Sequence, residues 1–379
     1  MSKMKKILIL VPNLGIGGQE KIAINTAKCL KSSYDVKIVI FEKRPIEYEY
    51  PCEVINLEAP ATQAFFKKVL NQVKRIFKLS KLRRRWGADV VISLGNTANL
   101  TNVLSGLVSA GKSISSIHGF AEVKKSFIMR TVLRLSHKVI CIAQAMQSSL
   151  LSIYPNTKNT VVIENGYDID GIIEKADEPI VELLPHPMVF SMGRLEKVKG
   201  FDRLIKAFAR VKQTKADLHL VLLGKGSLYD ELCSLASSEG VGDSVHLLGY
   251  RANPYAYLKQ ADIYVLSSRN EGFPNALIES LALELPIVSI DCMSGPREIL
   301  SEQYTDSRVA GVVEEKYGIL VEEAQTEEEI IHGLSSAILT MTNGESAMRY
   351  RALGRKRAFQ FNDAVYKEKI IALIEEAIS

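Results

Sequence analysis

Two glutamates, Glu271 and Glu279, stand eight residues apart in the run Glu271-Gly272-Phe273-Pro274-Asn275-Ala276-Leu277-Ile278-Glu279. Residues 261–266 before it read as a buried strand, and residues 275–285 as a helix with Ala276, Leu277, Leu281 and Leu285 on related faces. Pro274 suits a helix start, because its missing N–H would have no partner there. The free N–H groups of such a first turn point at an anion, or at hydroxyl and phosphate oxygens. If both carboxylates face a crevice, they can grip neighbouring hydroxyls of a sugar or a ribose. The competing reading is two solvated helix-start residues. Upstream, Arg194 and Lys199 straddle a strand-to-helix turn in Gly193-Arg194-Leu195-Glu196-Lys197-Val198-Lys199-Gly200. An arginine fork and a mobile lysine charge at such a turn can clamp a diphosphate; they also fit a charged surface loop. His118, followed by Gly119, ends the strand at 113–117. That is where open parallel sheets collect ligands, although a loop histidine without a ligand would look the same.

The elements that must position these residues alternate regularly. Strand-like runs at 5–11, 36–41, 54–57, 89–94, 113–117, 138–142 and 160–163 are mostly separated by helical stretches, which predicts a parallel sheet covered on both faces. A second series follows at 189–192, 218–223, 245–248, 261–266, 287–289 and 318–321. Helices are expected at 327–341, 347–359 and 364–378. Most strand ends in this half carry glycine with a cation or a carboxylate. Gly224-Lys225-Gly226-Ser227 would let backbone approach a flat ring or ribose, and Arg251 follows the strand at 245–248. Near the N-terminus, Gly15, Gly17 and Gly18 form a strand-to-helix loop suited to a phosphate or sugar. Its G-x-G-G spacing, with Glu20 in place of a third glycine, departs from the dinucleotide fingerprint, although Glu42 is available for a ribose. A loop from about 163 to 187, crowded by Pro179, Pro185 and Pro187, is the expected interdomain linker.

A chain of 379 residues exceeds the size at which one core usually keeps growing, so two domains are expected. No apolar run approaches a bilayer span. The basic, apolar start resembles a signal peptide, but its apolar part is short and leads into a glycine loop and an amphipathic helix, as an α/β domain begins. Five widely spaced cysteines show no metal spacing and read as reduced, buried thiols of a cytoplasmic protein. The six histidines form no ligand pattern either. The net charge of +5 is local: residues 67–85 hold nine basic residues and no acidic one, so the remainder is net acidic and a general nucleic-acid surface is not expected. In that stretch Val69, Leu70, Val73, Ile76 and Phe77 gather on one side of a helix, with Lys67, Lys74, Lys78, Lys81 and Arg85 largely opposite. Two readings stand: a packed helix with a solvated basic face, or a helix near an anionic membrane or steering a phosphate-bearing acceptor.

Together these residues resemble the retaining, nucleotide-sugar-dependent glycosyltransferases of family 4, with their B-type (GT-B) fold of two Rossmann-like domains facing a central cleft. The resemblance covers the whole length: the G-x-G-G loop with Gln19-Glu20, His118-Gly119, G-R-L-x-x-x-K-G at 193–200, Gly224-x-Gly226, E-G-F-P-N-A-L-I-E at 271–279, and Gly295-Pro296-x-Glu298-Ile299. Gln19 departs from the family's usual alanine, which bears on acceptor-side contacts.

The resemblance implies an acceptor domain at 1–180, joined by the returning helix 364–379, and a nucleotide-sugar domain at 187–360. It implies that Arg194 and Lys199 bind the donor diphosphate as it leaves, Glu279 holds the ribose hydroxyls and Glu271 contacts the donor sugar. Gly193, Gly224, Gly226, Arg251 and the segment Gly272, Phe273, Pro274, Asn275 and Ala276 complete the nucleotide cradle. His118 would touch the donor sugar, and Gly17 and Gly18 would leave room for the phosphates and acceptor. With two cations at the diphosphate no metal or other cofactor is expected, and transfer would proceed on the face from which the diphosphate departs. The donor expected is a UDP-linked hexose or N-acetylhexosamine. The acceptor expected is a glycan or polyprenyl-diphosphate-linked saccharide, reached at the cytoplasmic face of the plasma membrane through residues 67–85. A 2-epimerase or phosphorylase of the same plan would differ in needing no sugar acceptor. A sugar-binding module would need no diphosphate clamp, and an oxidoreductase would show cofactor absorbance.

Overall fold

Alternation within the first strand, β1 (Lys6–Val11), sets the layers of the first unit. Ile7, Ile9 and Val11 enter one buried cluster, and Leu8 and Leu10 enter another on the opposite face. The computed structural model, which describes residues 4–15, 18–43, 50–62 and 64–379, separates into two units. One comprises Met1–Tyr167 with Asp363–Ser379, the other Asp168–Asn362.

In the first unit, α1 (Gly18–Leu30), β2 (Asp35–Ile40), β3 (Val54–Asn56), α2 (Phe65–Trp86), β4 (Val90–Leu94), α3 (Asn96–Gly106), β5 (Lys112–Ile117), α4 (Phe127–Leu135), β6 (Lys138–Cys141), α5 (Gln144–Ile153) and β7 (Thr160–Val162) follow β1. The strands pair in parallel in the order β3-β2-β1-β4-β5-β6-β7, so the winding reverses between β1 and β4.

The second unit opens with α6 (Ile169–Ala176), where a loop was expected to continue to residue 187. The Asp168 side chain starts this helix by accepting from the Gly171 N–H at 3.0 Å. Residues 168–180 thus group with the second unit rather than the first. Then come β8 (Met188–Met192), α7 (Phe201–Lys212), β9 (His219–Leu223), α8 (Tyr229–Ser238), β10 (Val245–Gly249), α9 (Pro254–Leu258), β11 (Ile263–Leu266), α10 (Asn275–Ala282), β12 (Ile287–Ile290), α11 (Pro296–Leu300), β13 (Val312–Glu315), β14 (Gly318–Val321), α12 (Glu327–Met341) and α13 (Gly344–Ala358). The sheet order is β10-β9-β8-β11-β12-β14-β13, and β13 is an antiparallel edge strand that the sequence did not announce. Here the winding reverses between β8 and β11. One core face joins Val189, Leu220, Leu222, Val265 and Val288 to Leu204, Phe208, Leu334 and Ile338. The last helix, α14 (Asp363–Ile378), packs in the first unit, with Tyr366, Ile370, Leu373 and Ile374 in the core beside α1.

The basic helix α2 is turned opposite to an ordinary packed amphipathic helix. Its apolar side faces out: Phe66 is 87% exposed, Leu70 67% and Phe77 64%, with Val69 and Val73 also exposed. Facing inward are Leu79, Arg75 and Arg83. The Arg75 side chain donates to the Ala59 carbonyl at 2.8 Å and lies over the Phe41 ring. Arg83 donates to the carbonyls of Gly111 and Asn102 at 2.8 and 3.1 Å, and to the Ser105 and Ser113 hydroxyls. Burial draws its pKa down to about 10. The inward arginines find their partners among carbonyls and hydroxyls of the first unit's interior, as buried donors must, and this fits the helix's rotation.

Candidate active site

The reversal point between β8 and β11 is where a doubly wound sheet leaves a crevice beyond its strand ends. The loops that carry Arg194, Lys199 and Glu271 start there. After β8 the chain makes a tight turn through Lys197–Lys199 and enters α7 at Gly200, whose φ is 64°. A Cβ on Gly200 would lie 2.1 Å from the Ser267 carbonyl, so only glycine lets this turn rest on the loop after β11. The Ser267 hydroxyl donates to the Lys199 carbonyl at 3.0 Å, and the Arg269 N–H to the Val198 carbonyl at 2.8 Å. Stitched this way, Lys199 brings its Nζ to 2.6 Å from Glu271 Oε1, across 72 residues of sequence. The Ser268 hydroxyl donates to the same oxygen at 2.6 Å. The lysine stem packs against Gly193.

Glu271 is held by its backbone as well. Its N–H donates to the Met293 carbonyl at 2.8 Å, its carbonyl accepts from the Ser294 N–H at 3.0 Å, and the Ser294 hydroxyl donates to the Gly272 carbonyl at 2.5 Å. Phe273 is buried with its ring edge-on to Phe361 at 5.5 Å between centroids. Pro274 caps α10 without a side-chain hydrogen bond, and Asn275 and Ala276 open the helix. Glu279 lies further along α10, only 5% exposed, and accepts from the Tyr255 hydroxyl at 3.1 Å.

Other expected members sit differently. Arg194 is largely exposed and donates to Glu196 Oε1 at 2.7 Å. Arg251 is engaged by Glu182 and by the Tyr257 hydroxyl, and the two donors hold the Glu182 carboxyl below its usual range. Gly224 and Gly226 have an internal reason to be glycine. A Cβ on either would fall 1.8 Å from the Gly193 carbonyl or 2.3 Å from that of Leu195, so these loops abut backbone to backbone. The ring or ribose they were expected to admit is not needed to explain them.

The first unit has its own cluster at the carboxyl ends of β4 and β5. Gly17 lies outside the described residues, whereas Gly18 begins α1. The Gln19 amide rests against Gly95. Glu122 Oε1 accepts from the N–H groups of His118 and Gly119 at 3.2 and 3.1 Å. Among the described residues, Glu122 Oε2 and His118 Nε2 are both buried without a hydrogen-bond partner. Burial drives the two pKa values past each other: His118 falls to about 4, and Glu122 rises to about 7 against three backbone N–H groups that oppose the rise. His118 lines a cavity of about 10 Å³ with Thr26, Ser116, Asn165 and Tyr366, room for about one water.

Glu122, Tyr255, Ser268 and Ser294 escaped the sequence reading. Only Glu122 left a trace, as an acidic residue four places after His118 in a short strand-end loop. Among the described residues, no group of three or more His, Cys, Asp or Glu side chains is placed to hold a metal ion.

Residues 16–170 match the family model described as Glycosyltransferase Family 4, and residues 172–357 the one described as Glycosyl transferases group 1. Over 373 residues the chain is 28% identical to the N-acetylgalactosamine-N,N'-diacetylbacillosaminyl-diphospho-undecaprenol 4-alpha-N-acetylgalactosaminyltransferase of Campylobacter jejuni, spanning 94% of this chain and 96% of that one. An uncharacterized glycosyltransferase of Methanocaldococcus jannaschii is 32% identical over 271 residues, 65% of this chain and 67% of the other. The solved structure of Anabaena HepE in complex with UDP and glucose aligns with a TM-score of 0.76 at 19% identity, covering 98% and 100% of the two chains, which establishes the shared fold.

Proposed function

The chain belongs to the family 4 glycosyltransferases and has their GT-B fold, and on that premise we propose that it transfers a hexose or N-acetylhexosamine from a UDP-sugar to a hydroxyl of a polyprenyl-diphosphate-linked saccharide. UDP in the HepE complex supports the nucleotide, and the Campylobacter relative's name supports an amino-sugar donor and a lipid diphosphate acceptor. The observation that carries the reading is the 2.6 Å contact of Lys199 with Glu271 on adjoining loops at the sheet's reversal point. On donor binding, Lys199 exchanges this carboxylate for the diphosphate, and Glu271 is released to the sugar hydroxyls. Arg194 joins Lys199 at the phosphates, and Glu279, steadied by Tyr255, takes the ribose hydroxyls. The N–H groups of Phe273, Asn275 and Ala276 complete the cradle. Negative charge concentrates on the diphosphate as the glycosidic bond breaks, and fixed cations lower the barrier where that charge develops. A phosphate oxygen on the same face takes the acceptor's proton, so configuration is retained and no metal is required. His118, kept neutral, meets a substrate hydroxyl rather than a phosphate.

Helix α2 supports peripheral attachment to an anionic membrane on its cytoplasmic face. Its outward stripe of Phe66, Leu70 and Phe77 runs among exposed Lys67, Lys68, Lys74, Lys81, Arg84 and Arg85, combining an insertable apolar face with charges for lipid headgroups. Among the described residues, no helix is long and apolar enough to cross a membrane.

The test is a panel of nucleotide sugars offered with polyprenyl-diphosphate-linked saccharides, read as nucleoside diphosphate release. UDP release that needs the acceptor and survives EDTA is the expected result. Release indifferent to acceptor, or only from non-uridine donors, would defeat the corresponding part. For attachment, Phe66→Ser with Phe77→Ser should abolish sedimentation with anionic vesicles, and Lys74, Lys78 and Lys81→Gln should weaken it; full binding by both variants would refute it.

A further inference from the structure

Arg269 lies two residues before Glu271, and none of the motifs above includes it. Its two terminal nitrogens each meet one oxygen of Asp202 at 2.7 Å, a bidentate pair on the first turn of α7. One of them also donates to the Lys197 carbonyl at 2.9 Å, while the backbone N–H of Arg269 donates to the Val198 carbonyl at 2.8 Å. A single residue therefore grips the turn that carries Lys199 at two successive carbonyls. The other nitrogen reaches both oxygens of Glu327 at the start of α12, at 3.2 and 3.3 Å. Glu327 is shared: buried Arg203, next to Asp202, donates to it at 2.8 and 3.2 Å and to Glu323 at 2.8 and 3.2 Å. Two arginines and three carboxylates thus fasten five segments at the mouth of the second sheet, namely the turn at 197–199, α7, the loop after β11, the loop after β14 and α12.

We propose that Arg269 is a positioning residue that sets the separation of Lys199 from Glu271. It fixes the lysine through the carbonyls of the turn, and the glutamate through the single residue, Asn270, between them. The inference rests on the reading of Lys199 as the group that receives the departing diphosphate. Arginine is needed because one planar group must satisfy a carboxylate with both terminal nitrogens while a carbonyl and a second carboxylate are served from the sides; lysine offers one nitrogen. Without the Arg269 side chain, the turn keeps Gly200 on Ser267 and the backbone bond at Val198 but loses the bond at the Lys197 carbonyl and the tie to Asp202. Misplacement by a fraction of an ångström at a reacting phosphate reduces the rate more than it reduces ground-state affinity.

The experiment is a double-mutant cycle on the full chain with UDP-sugar turnover as readout. Arg269→Ala should lower kcat by about 10- to 100-fold while the donor KM moves by less than about threefold. In a Lys199→Ala background the same substitution should cost less than about threefold, because the group it aims is gone. A merely structural role would give equal losses in both backgrounds, or a loss that follows the fall in Tm, and either result overturns the inference. Asp202→Asn keeps the shape of the pair and should show the same pattern more weakly, so it decides the matter if Arg269→Ala does not fold. Wild-type turnover with an unchanged kcat in Arg269→Ala refutes the inference and leaves the functional reading standing. A wild-type chain that releases no nucleoside diphosphate from any donor refutes both.

Discussion

The strand-end clusters of the two units handle polarity in opposite ways. In the second unit the charges meet partners: Lys199 with Glu271, Arg194 with Glu196, and Glu279 with a tyrosine hydroxyl. In the first, His118 and Glu122 are half-buried, each with one buried atom unpartnered among the described residues, and desolvation pushes both toward their neutral forms. The difference teaches what each cluster is built to meet. Prearranged charges suit a ligand that is itself charged, such as a diphosphate, and desolvated neutral groups suit hydroxyls that must be gripped without attracting anions.

The contrast can be broken most directly at Lys199. Lys199→Ala should lower kcat by about 10²- to 10³-fold, the usual loss when a preset stabiliser of developing charge is removed. A loss below tenfold in steady-state turnover would mean that the second cluster does not act through charge.

The neutral cluster has a signature in pH. Folded His118 titrates at about 4 against an ordinary 6.5, and Glu122 at about 7 against 4.5. Between those ordinary values the unfolded chain holds the histidine's proton and has released the glutamate's, so the two contributions to the stability slope oppose each other. Glu122→Gln leaves the histidine alone, and stability should then rise by up to about 3 kcal/mol as pH climbs from 4 to 6.5. His118→Ala leaves the glutamate alone, and stability should fall by a similar amount from pH 4.5 to 7. Chemical denaturation of both variants across this range checks the signs; parallel slopes would show that the two groups are not desolvated together. The smallest effect is expected at Tyr255→Phe, which removes a donor to Glu279 and should raise the donor KM by about tenfold or less at constant Tm. An unchanged KM would separate Glu279 from the donor.

Most of the frame was legible because it rests on repetition. Two series of short apolar runs alternating with helical stretches predicted two parallel sheets, and the residues at 193–200 and 271–279 fall at a reversal point of the second. What escaped depends on where a side chain's partners lie in space. The wheel of α2 correctly gathers Val69, Leu70, Val73 and Phe77, but periodicity gives the content of a face and not its direction. The direction follows from carbonyls at Ala59 and Gly111, far along the chain from Arg75 and Arg83. Tyr255 and Arg269 were missed for the same reason, since their partners Glu279, Asp202 and Glu327 are distant in sequence. Gly224 and Gly226 show the converse: the motif drew attention to them, and a neighbouring loop explains them.

The return of α14 has a consequence for synthesis. Thr26 on α1 waits for a 2.8 Å hydrogen bond shared with Tyr366, and the core around Ile22 and Leu30 waits for Ile370 and Ile374. A ribosome must therefore emit residues 168–362, enough to complete the second sheet, before the first one can close over its own helix. The half translated first is the half that finishes folding last, and until then its unfilled face is a natural surface for a chaperone.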